Sequence, residues 1–391
     1  MRTERIELGR IITPAQVRRA GDRDYAVLSM TMRNGLVNQA DKFKKRIASA
    51  DTAQYKVVER NQLVVGFPID EGVLAFQNLY DEAIVSPAYN IWNLHDGVSV
   101  DTKYLELFLR SPGALAFYAS RLRSTTARRR SLPNDIFLSL LVPVPPLAEQ
   151  ERLVKLLDEA DALRKLRAQA DRRTAALIPA LFHDMFGDPA NSHNPWPAVT
   201  IGDVCEVKGG KRLPKGDEYA DEPTPYRYVR ISDIHEGWIE ESGLRFLKPE
   251  TQRQISRYTV REGDLVITIA GTIGVVAPVG ASLSGANLTE NAAKLVPRDE
   301  GKYDTVFLSE LMRTSFVQDQ IGLRTGQVTI GKLALFRIEQ ISFPLPPLSL
   351  QQQFARRVTE IRALEAAQAA SRLRLEALFQ SMLHRAFNGE L

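Results

Sequence analysis

Three clusters in this chain carry side chains suited to gripping a polyanion. "DKFKKR" supplies Lys42, Lys44, Lys45 and Arg46; "RLRSTTARRR" supplies Arg121, Arg123, Arg128, Arg129 and Arg130; "VKGGKRLPK" supplies Lys208, Lys211, Arg212 and Lys215. Phosphate binding needs a local patch of positive charge, not a global excess. Arginine adds a planar fork that fits phosphate or the O6 and N7 acceptors of guanine. All three runs read as loops, and Gly209 and Gly210 are expected to let the backbone come close to a phosphate. A fourth stretch, "RTGQV", offers Arg324 and Gln327 as base-reading side chains. For any one run, a solvated charged surface is the plain alternative.

Two stretches mimic enzyme motifs. "GQVTIGKL" (326–333) nearly matches a phosphate-binding loop, but Leu333 stands where a Ser or Thr would hold magnesium, and Val328, Thr329 and Ile330 favour strand. "SPAY" (86–89) approaches the Asn/Asp/Ser-Pro-Pro-Tyr/Phe motif of amino-methylating DNA methyltransferases; Ala88 breaks it, and no Gly-rich cofactor loop precedes it. A turn beside a strand is the expected role. A methyltransferase acting through Tyr89 and a protein scaffold with no DNA role are the competing readings. No Ser-His-Asp or paired-carboxylate arrangement stands out, so catalytic, cofactor-binding and metal residues are all expected to be absent.

Bulk properties narrow the frame. At 391 residues the chain suits two domains, and 44% hydrophobic with 25% charged residues is ordinary for a soluble protein. The start "MRTERIELGR" is polar, no apolar run is long enough for a bilayer, and the expected location is cytoplasmic. The single Cys205 cannot form an internal disulfide, and five scattered histidines show no metal spacing. The net charge of +4 is uneven: residues 1–146 hold 20 Lys+Arg against 15 Asp+Glu, residues 188–348 hold 18 against 21.

The clusters must be positioned by something, and the chain supplies it twice. "PVPPLAEQERLVKLL" (143–157) returns as "PLPPLSLQQQFARRV" (344–358). With an offset near 202, "YAVLSMTMRNGLV" lies over "RYVRISDIHEGWI", "YKVVERNQLVVG" over "YTVREGDLVIT", "VSPAYNIW" over "LTENAAKL", and "VDTKYLELFLRS" over "YDTVFLSELMRT". A shared order and offset mark a duplication. "YAVLSM" and "YVRISDI" alternate like half-buried strands, and "QLVVGF" and "DLVITIA" read as fully buried ones. Asp101 and Asp304 are predicted N-caps of helices whose apolar faces are Leu105, Phe108, Leu109 and Leu308, Leu311, Met312.

After each proline knot the pattern turns helical. Leu153, Leu156, Ala160, Leu163, Ala170, Leu177 and Leu181 mark one apolar seam, interrupted by Arg167 and Thr174; Phe354, Ile361, Leu364, Leu375, Leu378 and Met382 mark the other, interrupted by Gln368 and Ser371. Pro145, Pro146, Pro346 and Pro347 forbid helix upstream, and "GDPANSHNPWP" ends the first helix. Helices of about 38 residues would be about 57 Å long, more than one domain needs, so each is expected to pair with the other, antiparallel. The expected fold is α+β: two tandem β-rich domains (1–146 and 188–346), each followed by a long helix (147–187 and 347–391), arranged as a pseudo-two-fold dumbbell.

With these features the chain resembles a specificity subunit of type I restriction-modification enzymes, over nearly its whole length. The resemblance rests on the two tandem domains, each closed by a Pro-x-Pro-Pro-Leu-x-x-Gln knot (Pro143 to Gln150, Pro344 to Gln351), on the tail "LFQSMLHRAFNGEL" with its partial copy "LFHDMFG", and on "GDLVITIAGTIG". It implies two target-recognition domains, each reading one half of a gapped, asymmetric DNA site, and helices that fix the gap. The partners it implies are double-stranded DNA, two modification (methyltransferase) subunits that would hold S-adenosylmethionine, and, as an open alternative, restriction (translocase-nuclease) subunits. A rod of about 57 Å would span roughly 17 base pairs at about 3.4 Å each. Two departures stand out: domain one has "NQLVVGFPIDEG" where domain two has "GDLVITIAGTIG", and Pro179 sits inside the first helix, where a kink is expected.

Overall fold

In a computed structural model, which describes residues 4–32, 34–42, 52–122, 132–191, 195–299, 301–325 and 331–391, the chain divides into two compact units. Unit 1 comprises Met1–Gln169 with Ala370–Leu391, and unit 2 comprises Ala170–Ala369. Of the basic positions, Lys44, Lys45, Arg46, Arg123, Arg128, Arg129, Arg130 and Gln327 lie outside the described residues, as does the side chain of Lys42.

Each unit is built on the same four-stranded antiparallel sheet. In unit 1 the order across the sheet is Ile12–Pro14, Asn90–Leu94, Leu63–Val65, Leu74–Phe76; in unit 2 it is Cys205–Gly209, Ala292–Pro297, Leu265–Thr268, Val276–Pro278. Three of the four strand pairs open at 63 and 265, 74 and 276, 90 and 292, each 202 positions apart. A two-stranded ladder accompanies each sheet, Arg5–Glu7 with Leu141–Pro143 and Ala198–Thr200 with Ser342–Pro344. The "LVV" run and the "LVI" of "LVIT" are apolar throughout because both of their faces are covered. Leu63 and Val65 face one core of unit 1 while Val64 faces another, and Leu265 and Ile267 alternate with Val266 in the same way.

The "YAVLSM" and "RYVRIS" segments also correspond. Val27 bridges Ile84 in parallel, and Tyr228 and Val229 pair in parallel with Asn287 and Leu288. Beyond Val229 the expected strand is cut short. The Asp233 carboxylate accepts the Arg230 backbone N–H at 2.8 Å and pairs with its guanidinium at 2.6 Å, so Ile231–Asp233 turns as a 3-10 helix.

The helices cover one side of each sheet. Asp101 caps Thr102–Leu109 by accepting the Tyr104 N–H at 2.7 Å, and Asp304 caps Thr305–Met312 by accepting those of Val306 and Phe307 at 2.8 and 3.2 Å. Their predicted apolar residues are all buried. The proline knots now have a mechanical meaning, because the glutamine closing each is fully buried. Gln150 donates to the carbonyls of Pro145 (2.8 Å) and Ser99 (3.1 Å) and accepts the Asp101 N–H (2.9 Å). Gln351 donates to Pro346 O (2.7 Å) and accepts the Asp304 N–H (2.8 Å). Each glutamine thereby bolts the start of a long helix to the cap of a short one.

The long helices are Leu147–Ala175, continued after a break by Leu177–Phe186, and Leu348–Asn388. The break is the kink expected from Pro179, whose ring crowds the carbonyl of Ala175 four residues earlier and has no N–H to offer it. Ala176 accordingly bonds to Arg173 O at 3.2 Å. Gly187, at φ +68°, ends the second piece.

The predicted seams need correction. Leu153 is buried, as expected, and so is Leu157, but Leu163 and Leu177 are exposed; the buried positions farther on are Thr174, Ile178, Phe182 and Phe186. Along the second helix Phe354 is buried with Val358, Leu383 and Phe387, whereas Leu364 and Leu378 are exposed. A straight helix drifts by about 20° per heptad, so the buried stripe leaves a strict seven-residue count.

Both units are completed by helical segments remote in sequence. In unit 1, Leu383, Ala386 and Phe387 join the core of Leu105, Phe108 and Leu157, with the Phe387 ring edge-on to Tyr104 (5.5 Å) and Phe108 (5.3 Å). Arg164 also pairs there with Glu376 at 2.6 Å and lies 4.2 Å above the Phe379 ring. In unit 2, Ile178, Phe182 and Phe186 join Phe307, Leu311 and Phe354, and Gln368 donates to the Thr174 hydroxyl at 2.9 Å. The polar interruptions at Thr174 and Gln368 are therefore a hydrogen-bonded pair.

Candidate nucleic-acid interface

In unit 2 the chain leaving Cys205–Gly209 folds back against the segment Asn287–Glu290. Gly210 N donates to Ala292 O (3.0 Å) and Lys211 N to Leu288 O (2.8 Å). A Cβ on Gly210 would lie 2.0 Å from Thr289 O, so this position must be glycine for the two backbones to meet. That corrects its expected role: the close approach is to the protein's own backbone.

Lys211 and Arg212 are thereby set at the rim of the sheet. The Tyr228 hydroxyl donates to Lys211 O at 2.9 Å, and the Lys211 ammonium lies 5.8 Å from the centre of the Tyr258 ring. Arg212 Nε donates to Glu290 Oε1 at 2.7 Å, while the Thr289 hydroxyl donates to Glu290 Oε2 at 2.9 Å. Partial burial pushes the Glu290 carboxyl up, but the hydrogen bonds from Arg212, its own backbone and Thr289 outweigh this and hold it below the usual range. The hydrogen bond to Glu290 in turn raises the Arg212 guanidinium. Tyr219 stands 5.7 Å from Tyr228, with Arg245 5.9 Å from its ring, so basic and aromatic groups alternate across this rim.

Other expected residues are placed differently. Lys208 is on a strand, not in a loop, and pairs with Glu206 at 2.7 Å, because residues two apart share a strand face. Lys42 ends the helical turn Gln39–Lys42, again not a loop. Lys215 is exposed beyond the clamped segment. Arg324 lies in the helix Ser315–Thr325, and its guanidinium donates to Gln320 O (3.0 Å) and Gln340 O (3.1 Å), which commits it to the helix end. Arg121 stacks 4.0 Å over the Phe117 ring. Leu333 of the near phosphate-loop is fully buried and its N–H bonds to Ile269 O, beside an isolated bridge between Lys332 and Ala270, while Val328, Thr329 and Ile330 lie outside the described residues.

Glu290, Thr289, Tyr219, Tyr228 and Tyr258 were missed from sequence. The alignment of "TENA" over "SPAY" marks the right segment, but a carboxylate gives no sign of an arginine 78 positions away.

The matching rim of unit 1 carries different chemistry. Ser86–Tyr89 is a turn directly after the strand Glu82–Val85, with Tyr89 N bonded to Ser86 O at 3.1 Å. The Tyr89 ring meets Phe67 edge-on at 5.7 Å, its carbonyl accepts the Lys56 ammonium at 2.5 Å, and burial raises its hydroxyl. Phe67 is 49% exposed. Among the described residues no group of three or more His, Cys, Asp or Glu could hold a metal ion, and no helix is long and apolar enough to cross a membrane.

A sheet-and-helix domain present twice, each copy followed by a long helix and each presenting different loops at one rim, defines a tandem duplicated scaffold. Comparison with known proteins shows what this scaffold is similar to. Residues 193–373 match the family model for the type I restriction modification DNA specificity domain. The type I restriction enzyme EcoBI specificity subunit of Escherichia coli is 26% identical over 314 residues, covering 72% of this chain and 64% of that protein. The chain thus spans about two thirds of the length of that relative. Two solved structures share the fold. A chain from a structure on complex assembly and conformational transition of the type I R-M system aligns at TM-score 0.63 and 19% identity over 99% of this chain and 98% of that one. The type I restriction-modification S subunit from M. genitalium aligns at 0.55 and 14% over 98% and 96%. Residues 193–373 thus match the DNA specificity domain of that family, and the chain as a whole is similar to specificity subunits of type I restriction enzymes.

Proposed function

We propose that this chain is the DNA-reading subunit of a type I restriction-modification complex. Each unit reads one half of a gapped DNA site, and the long helices set the gap and dock two modification subunits, which carry S-adenosylmethionine and the methyl transfer. Restriction subunits are a further partner class for the same complex. The observation that carries this reading is the duplication itself: one scaffold twice, with an aromatic rim in one unit and a charged rim in the other. Two different readers imply an asymmetric target. In unit 2, Lys208, Lys211, Arg212 and Lys215 supply the positive charge. In unit 1 the reading assigns phosphate contact to Lys42, Lys44, Lys45, Arg46, Arg128, Arg129 and Arg130, and in unit 2 it assigns base contact to Gln327.

Footprinting of the chain with its modification subunits tests this. The expected result is two protected patches flanking a weakly protected gap. One continuous patch, or none, would overturn it, and binding of S-adenosylmethionine by the isolated chain would favour an enzyme acting through Tyr89 instead.

A further inference from the structure

Arg212 and Glu290 are too well supported to be an ordinary surface pair. Isolated exposed ion pairs contribute little, since both side chains must be ordered against solvent. Here much of that ordering is done by the backbone. Gly210 is pressed against Leu288 and Thr289, Lys211 is fixed at both its N–H and its carbonyl, and the Thr289 hydroxyl holds the carboxylate of Glu290. The carboxylate is about a quarter exposed, whereas Arg212 is 77% exposed. Glu290 grips only Nε of the guanidinium, and among the described residues the two terminal nitrogens meet no hydrogen-bond acceptor. They remain as a two-pronged donor held at a fixed angle.

We infer that Arg212, positioned by Glu290, reads a guanine in the half-site of unit 2. The inference rests on the DNA-reading function proposed above and assigns a specific base to one of its residues. Guanine offers O6 and N7 side by side in the major groove, matching two parallel N–H donors. A phosphate is the other acceptor an arginine could take, and Glu290 argues against it. A carboxylate 2.7 Å from Arg212 would face the phosphate's charge, whereas a neutral base edge incurs far less repulsion. The same carboxylate is the acceptor type that suits the N4 amine of cytosine. Unit 1 has Pro87 of "SPAY" in the place of Glu290 and no such pair among its described residues, which confines the effect to one half-site.

The test uses the full chain with its modification subunits on DNA carrying many sequence contexts, reading methylated sites by sequencing. Wild type is expected to show a G·C pair in one half-site. Arg212→Ala and Arg212→Lys should lose discrimination at that single pair by about 5- to 150-fold, the range of one bidentate contact. Glu290→Gln should relax the same pair to a smaller degree, with the gap and the other half-site unchanged. That single-position pattern is one a merely structural role for Glu290 would not give, and retained methylation at the unaltered half-site reports a folded chain. Uniformly weaker methylation with the motif intact would overturn the inference in favour of phosphate contact. Relaxation at an A·T pair, or in the other half-site, would also overturn it. A wild-type complex with no gapped motif would instead overturn the DNA-reading function itself.

Discussion

Units 1 and 2 share almost everything that holds a sheet and its helices together and little of what they show at the rim. In unit 2 the loop after Leu265–Thr268 is stitched by the Thr268 hydroxyl, which accepts the Val275 N–H at 3.0 Å, and by Gln318, which donates to Gly274 O at 3.0 Å. In unit 1 the same loop is the 3-10 turn Ile69–Glu71 with Phe67 at its start. Strand order, the Asp caps and the buried glutamines agree between units; Arg212 with Glu290 and Phe67 with Tyr89 do not. The difference teaches that scaffold and rim are separable here, because the scaffold residues point into cores or at backbone, whereas Arg212 and Phe67 are exposed at the rim.

The comparison breaks first, and with the largest effect, at the remote helical segments. Phe186 meets Phe182 (4.9 Å), Phe307 (4.9 Å) and Phe354 (5.2 Å), whereas Leu383 fills the unit 1 core without a ring. Phe186→Ala should destabilise unit 2 by about 3–5 kcal/mol and Leu383→Ala unit 1 by about 2–4 kcal/mol. Hydrogen exchange resolved by unit would check that each loss is confined to its own core. Equal loss of protection throughout would mean the units do not unfold separately.

A smaller effect distinguishes the two bolts. Gln150→Ala leaves three hydrogen bonds unmade and Gln351→Ala two, so each should cost about 1–3 kcal/mol, with unit 1 at the upper end. Urea denaturation of the two variants measures the order, and a larger loss for Gln351→Ala would reverse it. The smallest change is expected at Cys205, found only in unit 2. Burial pushes its thiol up to about 11, opposed in part by its hydrogen bond with Tyr303. Since the reactive thiolate is favoured only above that value, alkylation near pH 8 should be negligible in the native protein and rapid once urea unfolds unit 2. Mass spectrometry of the labelled chain would show it; fast labelling without urea would place the thiol near solvent.

How far the sequence reveals these features depends on how local they are. The Asp101 and Asp304 caps, the Gln150 and Gln351 knots and the break near Pro179 all act within a few residues, so their spacing shows in the chain. The rim does not, because Arg212 meets Glu290 only after two loops have been folded onto one sheet. The helix seams fall between these cases. Leu153 and Phe354 lie close to the knots that set the phase, and farther along the stripe drifts until Leu163 and Leu364 point outward while Leu157 and Val358 are covered.

The placement of Leu383, Ala386 and Phe387 in the core of unit 1 has a consequence for how the protein is made. More than 200 residues separate Leu157 from Leu383, two members of the same core. At about 5–20 residues per second, a ribosome takes on the order of 10–50 s to cover that distance. During that interval the first unit exists without its last wall, its Tyr104 and Phe108 rings open to water, and unit 2, whose core lies within residues 178–358, is complete before Leu383 is added. The half synthesised first is therefore the half that matures last, and an unfinished unit 1 stays open to chaperones and to aggregation until the end of the chain is made.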